Sequence, residues 1–257
     1  MIVPPRLSCR GLALAVPGRT LCSGLNLDIG PGQCWAIVGP NGVGKTTLLT
    51  TLAGLRAPDA GEITYDGTPL SALASRERAR RRGWLPQDSV DFFPATVLET
   101  VLVGRHPYLA RWQWESAADV VRAERALADV GLAGFPMREV GSLSGGERRR
   151  VALAALLAQD PDLLLLDEPS SHLDLAHQIT TLDVLARLVR DRGKSVLMVL
   201  HDLHLALRYA DHAIALGDGR AVAGEAEVIL AADALSALFG HPLMALGEGR
   251  TRTFVPV

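Results

Sequence analysis

The sequence is poor in aromatic residues, cysteine and lysine, and it has no long apolar run. Of its 257 residues, 5% are aromatic, three are cysteine, and two are lysine, namely Lys45 and Lys194. Three cysteines without paired spacing argue against a disulfide framework and against a zinc site. The 28 acidic and 26 basic residues give a net charge of −2, so there is no overall basic field to attract nucleic acid.

The mean hydropathy of +0.20 is nevertheless high. The longest apolar stretches, such as residues 151–158 and Leu163–Leu166, end well before the roughly 18 residues that a spanning helix needs. Residues 1–6 also lack the apolar run of a secretory signal. We therefore expect a soluble, cytoplasmic chain whose apolar surplus is buried or faces a partner.

Short apolar segments alternate with helical patterns along most of the chain. The predicted strands are residues 24–29, Cys34–Val38, 61–65, Leu163–Leu166, 195–200 and 213–216, and the first predicted helix covers residues 45–55. From residue 92 to about residue 160 only helical periodicity is present. This order predicts a parallel α/β sheet interrupted by a helical insertion. The basic run 76–82 is interpreted as a solvated helix end, because interleaved aromatic residues are missing.

A glycine-rich turn between a predicted strand and a predicted helix matches the phosphate-binding pattern G-x-x-x-x-G-K-[ST]. The predicted ATP-binding residues are Gly39, Pro40, Asn41, Gly42, Val43, Gly44, Lys45, Thr46 and Thr47. Glycines let the backbone point several N–H groups at one anion, and the following helix adds the positive end of its dipole. Lys45 can reach the β- and γ-phosphates, and the Thr46 hydroxyl can ligate Mg²⁺.

Two acidic residues follow the apolar run Leu163–Leu166. We predict that Asp167 contacts Mg²⁺, directly or through water, and that Glu168 polarises the attacking water as general base. An acidic cap of the following helix is the competing interpretation, and Pro169 is compatible with it. The phosphate loop in the same chain favours the catalytic interpretation.

A five-residue motif, Leu143-Ser144-Gly145-Gly146-Glu147, completes the pattern. With it, the sequence resembles the ATP-binding subunit of an ATP-binding cassette (ABC) transporter. Other motifs of that family are present in order, namely the glutamine loop with Gln87, the D-loop Ser171-His172-Leu173-Asp174, and the switch histidine His201. The resemblance extends from about residue 7 to about residue 240.

The resemblance implies a role for each of these motifs. Two copies would pair head to tail, so that each ATP lies between the phosphate loop of one copy and the signature residues 143–147 of the other. Ser144, Gly145 and Gly146 would contact the γ-phosphate in the partner's site. His201 would help to position the attacking water, and Gln87 would link the bound Mg²⁺ to a membrane subunit.

Within the family, residues 93–99, 104–108 and 173–178 resemble the type II importers of metal chelates, whose cargo is haem, a ferric siderophore or cobalamin. We expect haem, on this likeness alone. The implied partners are two transmembrane permease subunits and, indirectly, a periplasmic substrate-binding protein, with no nucleic acid. The implied location is peripheral, on the cytoplasmic face of a bacterial inner membrane.

The resemblance also implies a single domain, residues 1–257, of the P-loop, RecA-like α/β class. Residues 1–87 and 161–257 would form the mostly parallel core with a small antiparallel β subdomain, and residues 88–160 the helical subdomain with the signature. The region after Gln87, to about residue 111, would receive a coupling helix of the permease. Its aromatic residues suit either that role or ordinary packing: Phe92, Phe93, Tyr108, Trp112 and Trp114.

The sequence departs from the family pattern in three places. The stretch Ala15-Val16-Pro17 lacks the aromatic residue on which most members stack adenine. His172 occupies a D-loop position where a small residue is more usual, and Arg148 follows the signature where glutamine is common. None of these changes removes a group that handles phosphate, metal or water.

Two other functions compete with this interpretation. A soluble ABC ATPase of DNA repair or translation usually carries coiled-coil insertions or a second cassette, for which 257 residues leave no room. A nucleotide-binding regulator without turnover would have no use for Glu168 and His201. We therefore predict an ATPase that powers transport.

Overall fold

The computed structural model describes residues 4–87, 94–171 and 173–257. In chain order the strands are β1 (Leu7–Val16), β2 (Arg19–Ile29), β3 (Cys34–Val38), β4 (Ala60–Tyr65), β5 (Thr68–Pro69), β6 (Arg82–Leu85), β7 (Leu163–Leu166), β8 (Ser195–Val199), β9 (His212–Gly217), β10 (Arg220–Glu225), β11 (Leu243–Leu246) and β12 (Thr253–Pro256). The helices are α1 (Lys45–Leu52), α2 (Ser75–Arg81), α3 (Val97–Leu102), α4 (Ala117–Asp129), α5 (Gly145–Gln159), α6 (Leu175–Arg192), α7 (Leu203–Tyr209), α8 (Ala226–Ile229) and α9 (Ala232–Phe239).

The central sheet has six strands in the order β10-β9-β3-β8-β7-β6. From β9 to β6 every neighbouring pair is parallel, and β10 is added antiparallel at one edge. Parallel neighbours require crossover connections, and helices supply them here. The predicted parallel α/β sheet is therefore confirmed.

The central sheet is buried on both faces. Along β7, Leu164 and Leu166 belong to one hydrophobic core, while Leu163 and Leu165 belong to the other. A strand covered on both sides reads as a continuous apolar run, because neither face meets water. This burial accounts for part of the high mean hydropathy of the chain.

A separate four-stranded antiparallel sheet, in the order β2-β1-β4-β5, packs over α1 and one face of the central sheet. Asp66 and Gly67 connect β4 to β5 with φ of 47° and 75°, the left-handed backbone that tight hairpins need. The pairing of β1 with β2 is interrupted by register shifts. Gly11, with φ 58°, lies within the shift between Cys9 and Leu12. These irregularities break the alternation of apolar and polar residues, which is why β1 has no clear strand signal.

Helices α3, α4 and α5 lie between β6 and β7 in the chain and pack together in the core on the other face of the sheet. They lie within residues 92 to about 160, the stretch in which the sequence predicts only helices. The predicted division into a core and a helical subdomain at residues 88–160 stays a prediction, and Phe92, Phe93 and His172 lie outside the described residues. Within the described ranges, no helix combines the length and apolar character that a membrane crossing requires.

A buried ion pair joins the helices of this segment. The Arg105 Nε donates to the Asp119 carboxylate at 2.8 Å, and its Nη1 donates to the Ala158 carbonyl at the end of α5 at 2.9 Å. The side chains of Arg105 and Asp119 are only 5% and 11% exposed. Asp119 also caps α4 together with Ser116, and hydrogen bonds from Ser116 and from Arg105 lower the pKa of Asp119 to about 2.

We expect Asp119→Asn to lower the free energy of unfolding by about 3 kcal/mol at neutral pH, because Arg105 then keeps a buried charge without its counter-ion. A lowered pKa in the folded state means that the carboxylate stabilises the fold fully above its unfolded pKa of about 4, and that this contribution is lost as the pH falls towards 2. Urea unfolding at about pH 7 and about pH 3 measures both parts. An equal loss of unfolding free energy in Asp119→Asn at both pH values would contradict the role of Asp119 as the ionised partner of Arg105.

Candidate functional site

The site forms at the carboxyl edge of the central sheet. Because β3, β6, β7 and β8 are parallel, the loops that follow them emerge at the same edge. These loops contain Gly39 after β3, Gln87 after β6, Asp167 after β7 and His201 after β8. Four motifs separated by up to 162 positions in the chain therefore meet.

The phosphate loop needs glycine where its backbone is most unusual. Gly39 has φ 152°, and a Cβ there would lie 2.2 Å from the Leu216 carbonyl oxygen. Gly44 has φ 111°, and a Cβ there would lie 2.8 Å from the Leu21 side chain. Any larger residue would displace the strand or side chain behind the loop. Helix α1 begins at Lys45, directly after this turn.

Lys45 lies across its own loop. Its ammonium donates to the Gly39 carbonyl at 2.8 Å and to the Pro40 carbonyl at 3.0 Å, and the residue is 6% exposed. Burial lowers the pKa of Lys45, while the carboxylates of Glu168 and Asp167 act in the opposite direction. A desolvated ammonium among backbone N–H groups is suited to bind a phosphate oxygen.

Four of the predicted motif groups line one cavity of about 450 Å³. Its lining combines the phosphate loop and the start of α1 with the three groups Gln87, Glu168 and His201. The residues from the loop and helix are Asn41, Gly42, Gly44, Lys45, Thr46 and Thr47. Its volume is within the range of small-molecule sites. The cavity thus joins an anion-binding loop to groups capable of acid–base chemistry.

Glu168 is held by two side chains in a strained backbone. Its φ is 48°, a left-handed value that is uncommon outside glycine. One carboxylate oxygen accepts the Ser171 hydroxyl at 2.7 Å, and the other lies 2.5 Å from His201 Nε2. Burial by itself raises the pKa of Glu168, but the hydrogen bonds from Ser171 and His201 and the nearby charge of Lys45 lower it overall. The carboxylate is therefore ionised at neutral pH and able to accept a proton.

Asp167 and Thr46 fit a Mg²⁺ ion by their chemistry. Asp167 is 1% exposed, and its buried Oδ1 has no hydrogen-bond partner in the described residues. Burial raises the pKa of Asp167, while a hydrogen bond from the Thr46 side chain acts in the opposite direction. An unpartnered carboxylate oxygen is costly to bury, and a carboxylate beside a hydroxyl is a donor set that Mg²⁺ accepts.

A neighbouring cavity of about 520 Å³ borders the other side of the phosphate loop at Pro40, Asn41 and Val43. The described residues that line it include no aromatic side chain, which agrees with the missing aromatic residue near Val16. Arg19 lines it and donates to the Gly42 carbonyl at 2.6 Å.

The signature residues 143–147, all of which the structure describes, do not line the cavity of about 450 Å³ that contains Lys45, here called the main cavity. Ser144 caps α5 by accepting from the Glu147 N–H, and Glu147 in turn accepts from the Ser144 N–H at 2.8 Å. Hydrogen bonds from Ser144 lower the pKa of Glu147. Ser144 and Gly145 are exposed, so the amino end of α5 is open to a partner.

The D-loop packs against this same helix end. A Cβ on Gly146 would lie 3.2 Å from the Leu173 side chain, which is buried together with Leu143. Asp174 caps α6 by accepting from the His177 N–H at 2.9 Å. The fold therefore brings the signature residues 143–147 into contact with the described part of the D-loop. Gly146 and Leu173, which make this contact, are 27 positions apart in the chain.

One residue of this region was missed by the sequence reasoning. Arg149 is 7% exposed and donates to the backbone carbonyls of Gln87 and Asp167, in the loops that follow β6 and β7. The sequence carries no signal that separates Arg149 from Arg148 and Arg150. Residues 151–158 are uniformly apolar, so each arginine of the run has apolar residues three, four and seven positions further along the helix.

Comparison with known proteins agrees with this geometry. The family model described as ABC transporter matches residues 22–171, more than half of the chain. The hemin import ATP-binding protein HmuV of Nocardia farcinica is 42% identical over 247 residues, covering 93% of this chain and 84% of that protein. The cobalamin import ATP-binding protein BtuD of Halobacterium salinarum is 41% identical over 234 residues, covering 91% of this chain. The chain spans 58% of the length of that relative.

Among solved structures, an inward-facing conformation of a putative metal-chelate type ABC transporter has a chain that matches with a TM-score of 0.85. The two are 30% identical, and the match covers 98% of this chain and 97% of the other. The resemblance inferred from the motifs is confirmed by both kinds of match. The chain therefore belongs to the ABC transporter family, and within it is similar to ATP-binding proteins of metal-chelate import.

Proposed function

We propose that this chain is the ATP-hydrolysing subunit of an importer and that it powers uptake of a metal chelate through a partner permease. The observation that carries the proposal is the single cavity of about 450 Å³ that joins Lys45, Gln87, Glu168 and His201. A phosphate loop alone would support binding only. A carboxylate held beside a histidine within the same cavity supports hydrolysis.

Binding uses the phosphate loop. The backbone N–H groups of the loop and the amino end of α1 receive the phosphates of ATP, and Lys45 exchanges its carbonyl partners for phosphate oxygens. Thr46 and Asp167, with Gln87, would hold Mg²⁺. When bound, Mg²⁺ neutralises charge on the β- and γ-phosphates.

Hydrolysis uses Glu168 and His201. The ionised carboxylate of Glu168 accepts a proton from the attacking water, and His201 orients the same water and the γ-phosphate from the end of β8. Ser171 holds the second carboxylate oxygen of Glu168, which leaves one oxygen for the reaction. His201 is 43% exposed at its side chain, so it is free to turn from Glu168 towards a substrate.

The working unit in this proposal is a head-to-tail homodimer. The main cavity holds the phosphate loop, whereas Ser144, Gly145 and Gly146 are displayed elsewhere on the surface of the same chain. A second copy would add its exposed α5 amino end to the cavity, since that helix end offers N–H donors and a favourable dipole to the γ-phosphate. Each chain would then hold half of two sites.

The proposed partners lie at a membrane. Two permease subunits would dock on the helical subdomain, residues 88–160, with a periplasmic substrate-binding protein delivering the cargo on the far side. Tyr108, Trp112 and Trp114 are exposed, the last two by 88% and 86%, so they are available for contact and do not pack in the core. In this proposal the chain would lie on the cytoplasmic face of a bacterial inner membrane.

Haem is the proposed cargo, followed by a ferric siderophore and cobalamin. The support is likeness alone: one relative above is named for hemin, another for cobalamin, and the solved structure for a metal chelate.

We expect Glu168→Gln to abolish most ATP turnover while leaving ATP bound, because glutamine keeps the shape and the hydrogen bond with Ser171 but cannot accept the proton. Loss of a general base is expected to cost about 10²- to 10⁴-fold in kcat. Gel filtration with ATP and Mg²⁺ should show a stable dimer. Turnover near that of the parent protein within the assembled transporter would refute the general-base role.

Lys45→Ala is expected to lower nucleotide affinity or abolish hydrolysis, because no other described side chain donates a charged N–H from within the phosphate loop. Lys194→Ala is the matched control. Lys194 is also buried, but it contacts Asp160 and Asp162 outside the cavity, so its loss should lower thermal stability without changing nucleotide affinity. Titration with a fluorescent ATP analogue measures both variants. Equal affinities for Lys45→Ala and Lys194→Ala would contradict the phosphate-loop assignment.

The cargo is tested in vesicles that contain the permease and this chain. We expect ATP-dependent uptake with haem and weaker uptake with a ferric siderophore or cobalamin, measured as cargo retained inside the vesicles. Glu168→Gln is the control, since it removes turnover while keeping the assembly. Uptake of a siderophore or cobalamin above that of haem would overturn the cargo assignment, and ATPase activity without any permease association would favour a non-transport ABC ATPase.

A further inference from the structure

Arg149 occupies an unusual position in the second turn of α5. It is buried, with 7% of its surface exposed, although it lies between two other arginines on a helix. Its guanidinium donates to four backbone carbonyls. One nitrogen donates to those of Pro86 and Gln87, the latter at 3.0 Å, and the other donates to Asp167 at 2.6 Å and Glu168 at 2.9 Å.

These four carbonyls belong to the two loops that carry the catalytic groups. Pro86 and Gln87 follow β6, and Asp167 and Glu168 follow β7. The loops are already joined by the Asp167 N–H, which donates to the Leu85 carbonyl at 2.8 Å. Arg149 adds the helix that carries the signature to this pair. One side chain thus contacts the glutamine loop, the Glu168 loop and the signature helix.

Arginine is chemically suited to this task. Its planar guanidinium presents several N–H groups in a fixed fork, it stays charged, and it is less strongly hydrated than an ammonium group. Hydrogen bonds from a charged donor are stronger than those between neutral groups. A lysine could reach some of these carbonyls but could not hold two pairs in one plane.

The backbone of Glu168 needs such support. Its φ of 48° is a left-handed conformation, which costs free energy and persists only where surrounding contacts impose it. The carbonyl of Glu168 accepts both from Arg149 and from the Ser171 N–H at 3.1 Å. These two donors fix the peptide on the carboxyl side of Glu168 and therefore the direction of its side chain.

We propose that Arg149 is a positioning residue, which holds the backbone of Gln87 and Glu168 in register with the signature helix, so that the two half-sites carried by one chain move together. The inference rests on the function proposed above. Arg149 does not line the cavity among the described residues, so it acts through Glu168 and Gln87.

The test compares Arg149→Gln, Arg149→Lys and the control Arg81→Gln. Arg81 also donates to a backbone carbonyl, that of Tyr65 at 3.0 Å, but it lies on α2 and outside the site. For Arg149→Gln we expect kcat to fall by about tenfold or more while nucleotide affinity stays within about twofold, since the phosphate loop is untouched. The kcat of Arg149→Lys should lie between that of Arg149→Gln and that of the parent protein. Arg81→Gln should match the parent protein in kcat and in nucleotide affinity.

A second readout does not depend on turnover. Hydrogen exchange at the amides of Asp167 and Ser171 should accelerate in Arg149→Gln and stay unchanged in Arg81→Gln. The Ser171 amide bonds to the Glu168 carbonyl that Arg149 also contacts, and the Asp167 amide joins the two loops through Leu85, next to Pro86. If Arg149→Gln does not fold, Arg149→Lys carries both measurements.

Three outcomes would overturn the inference: a folded Arg149 variant with parental kcat and exchange, a loss of nucleotide affinity equal to the loss of kcat, and no rescue by lysine relative to glutamine. The first leaves the proposed function intact, because the parent protein still hydrolyses ATP. Absence of turnover in the parent protein with its permease would instead refute the proposed function, and the exchange measurement would then decide the role of Arg149 separately.

Discussion

The parallel pairing of the central strands is the constraint on which the rest of the structure depends. Leu85 of β6 lies opposite Leu166 of β7, Leu166 opposite Met198 of β8, and Val199 opposite Ile37 of β3. A slip of one residue would turn every side chain of a strand to the other face, from one hydrophobic core into the other. Both cores are filled by these strands, so packing specifies the register. The register in turn specifies how far each catalytic loop extends beyond the sheet.

That constraint also makes the electrostatics of the site possible. Lys45, Asp167 and Glu168 are charged groups at the edge of a sheet that is otherwise apolar, and burying each of them has a cost. Lys45 offsets this cost by donating hydrogen bonds to two loop carbonyls. Glu168 offsets it through its contacts with Ser171 and His201. Asp167 retains one oxygen without a partner in the described residues. Since the other charges are satisfied by the protein, the remaining demand for a cation is concentrated at Asp167, beside the Thr46 hydroxyl. The unpaired carboxylate oxygen of Asp167, beside the Thr46 hydroxyl, is therefore the feature of the site that suits a metal ion.

The sequence predicted the parts of the fold that depend on local pattern and failed where distant contacts decide. Cys34–Val38 and Leu163–Leu166 were predicted at their observed bounds, because strands buried on both faces are uniformly apolar. Strand β6 was missed, because Arg82 and Gly83 carry no strand signal and its place comes from pairing with β7. The phosphate loop and the Asp167–Glu168 pair were recognisable from residue type and spacing. The left-handed backbone of Glu168 was not, since it depends on Arg149, which lies 19 positions away on α5, as well as on Ser171 in the same loop.

The position of α5 shows why a single chain has to be considered together with a second copy. Its amino end, with Ser144 exposed, does not line the cavity that contains Lys45, while its second turn contacts the backbone of Gln87 and Glu168 in that cavity through Arg149. A helix is stiff along its axis over two turns, because each turn is hydrogen-bonded to the next. In the proposed dimer, a displacement imposed on Ser144 by a nucleotide in the partner's site would therefore be passed to Arg149, about 7.5 Å along the axis at about 1.5 Å per residue. From there it would reach the carbonyls of Gln87 and Glu168, to which Arg149 donates. On this proposal the general base and the signature that serves the other active site share one rigid support, so hydrolysis in one half of the dimer would alter the geometry of the other.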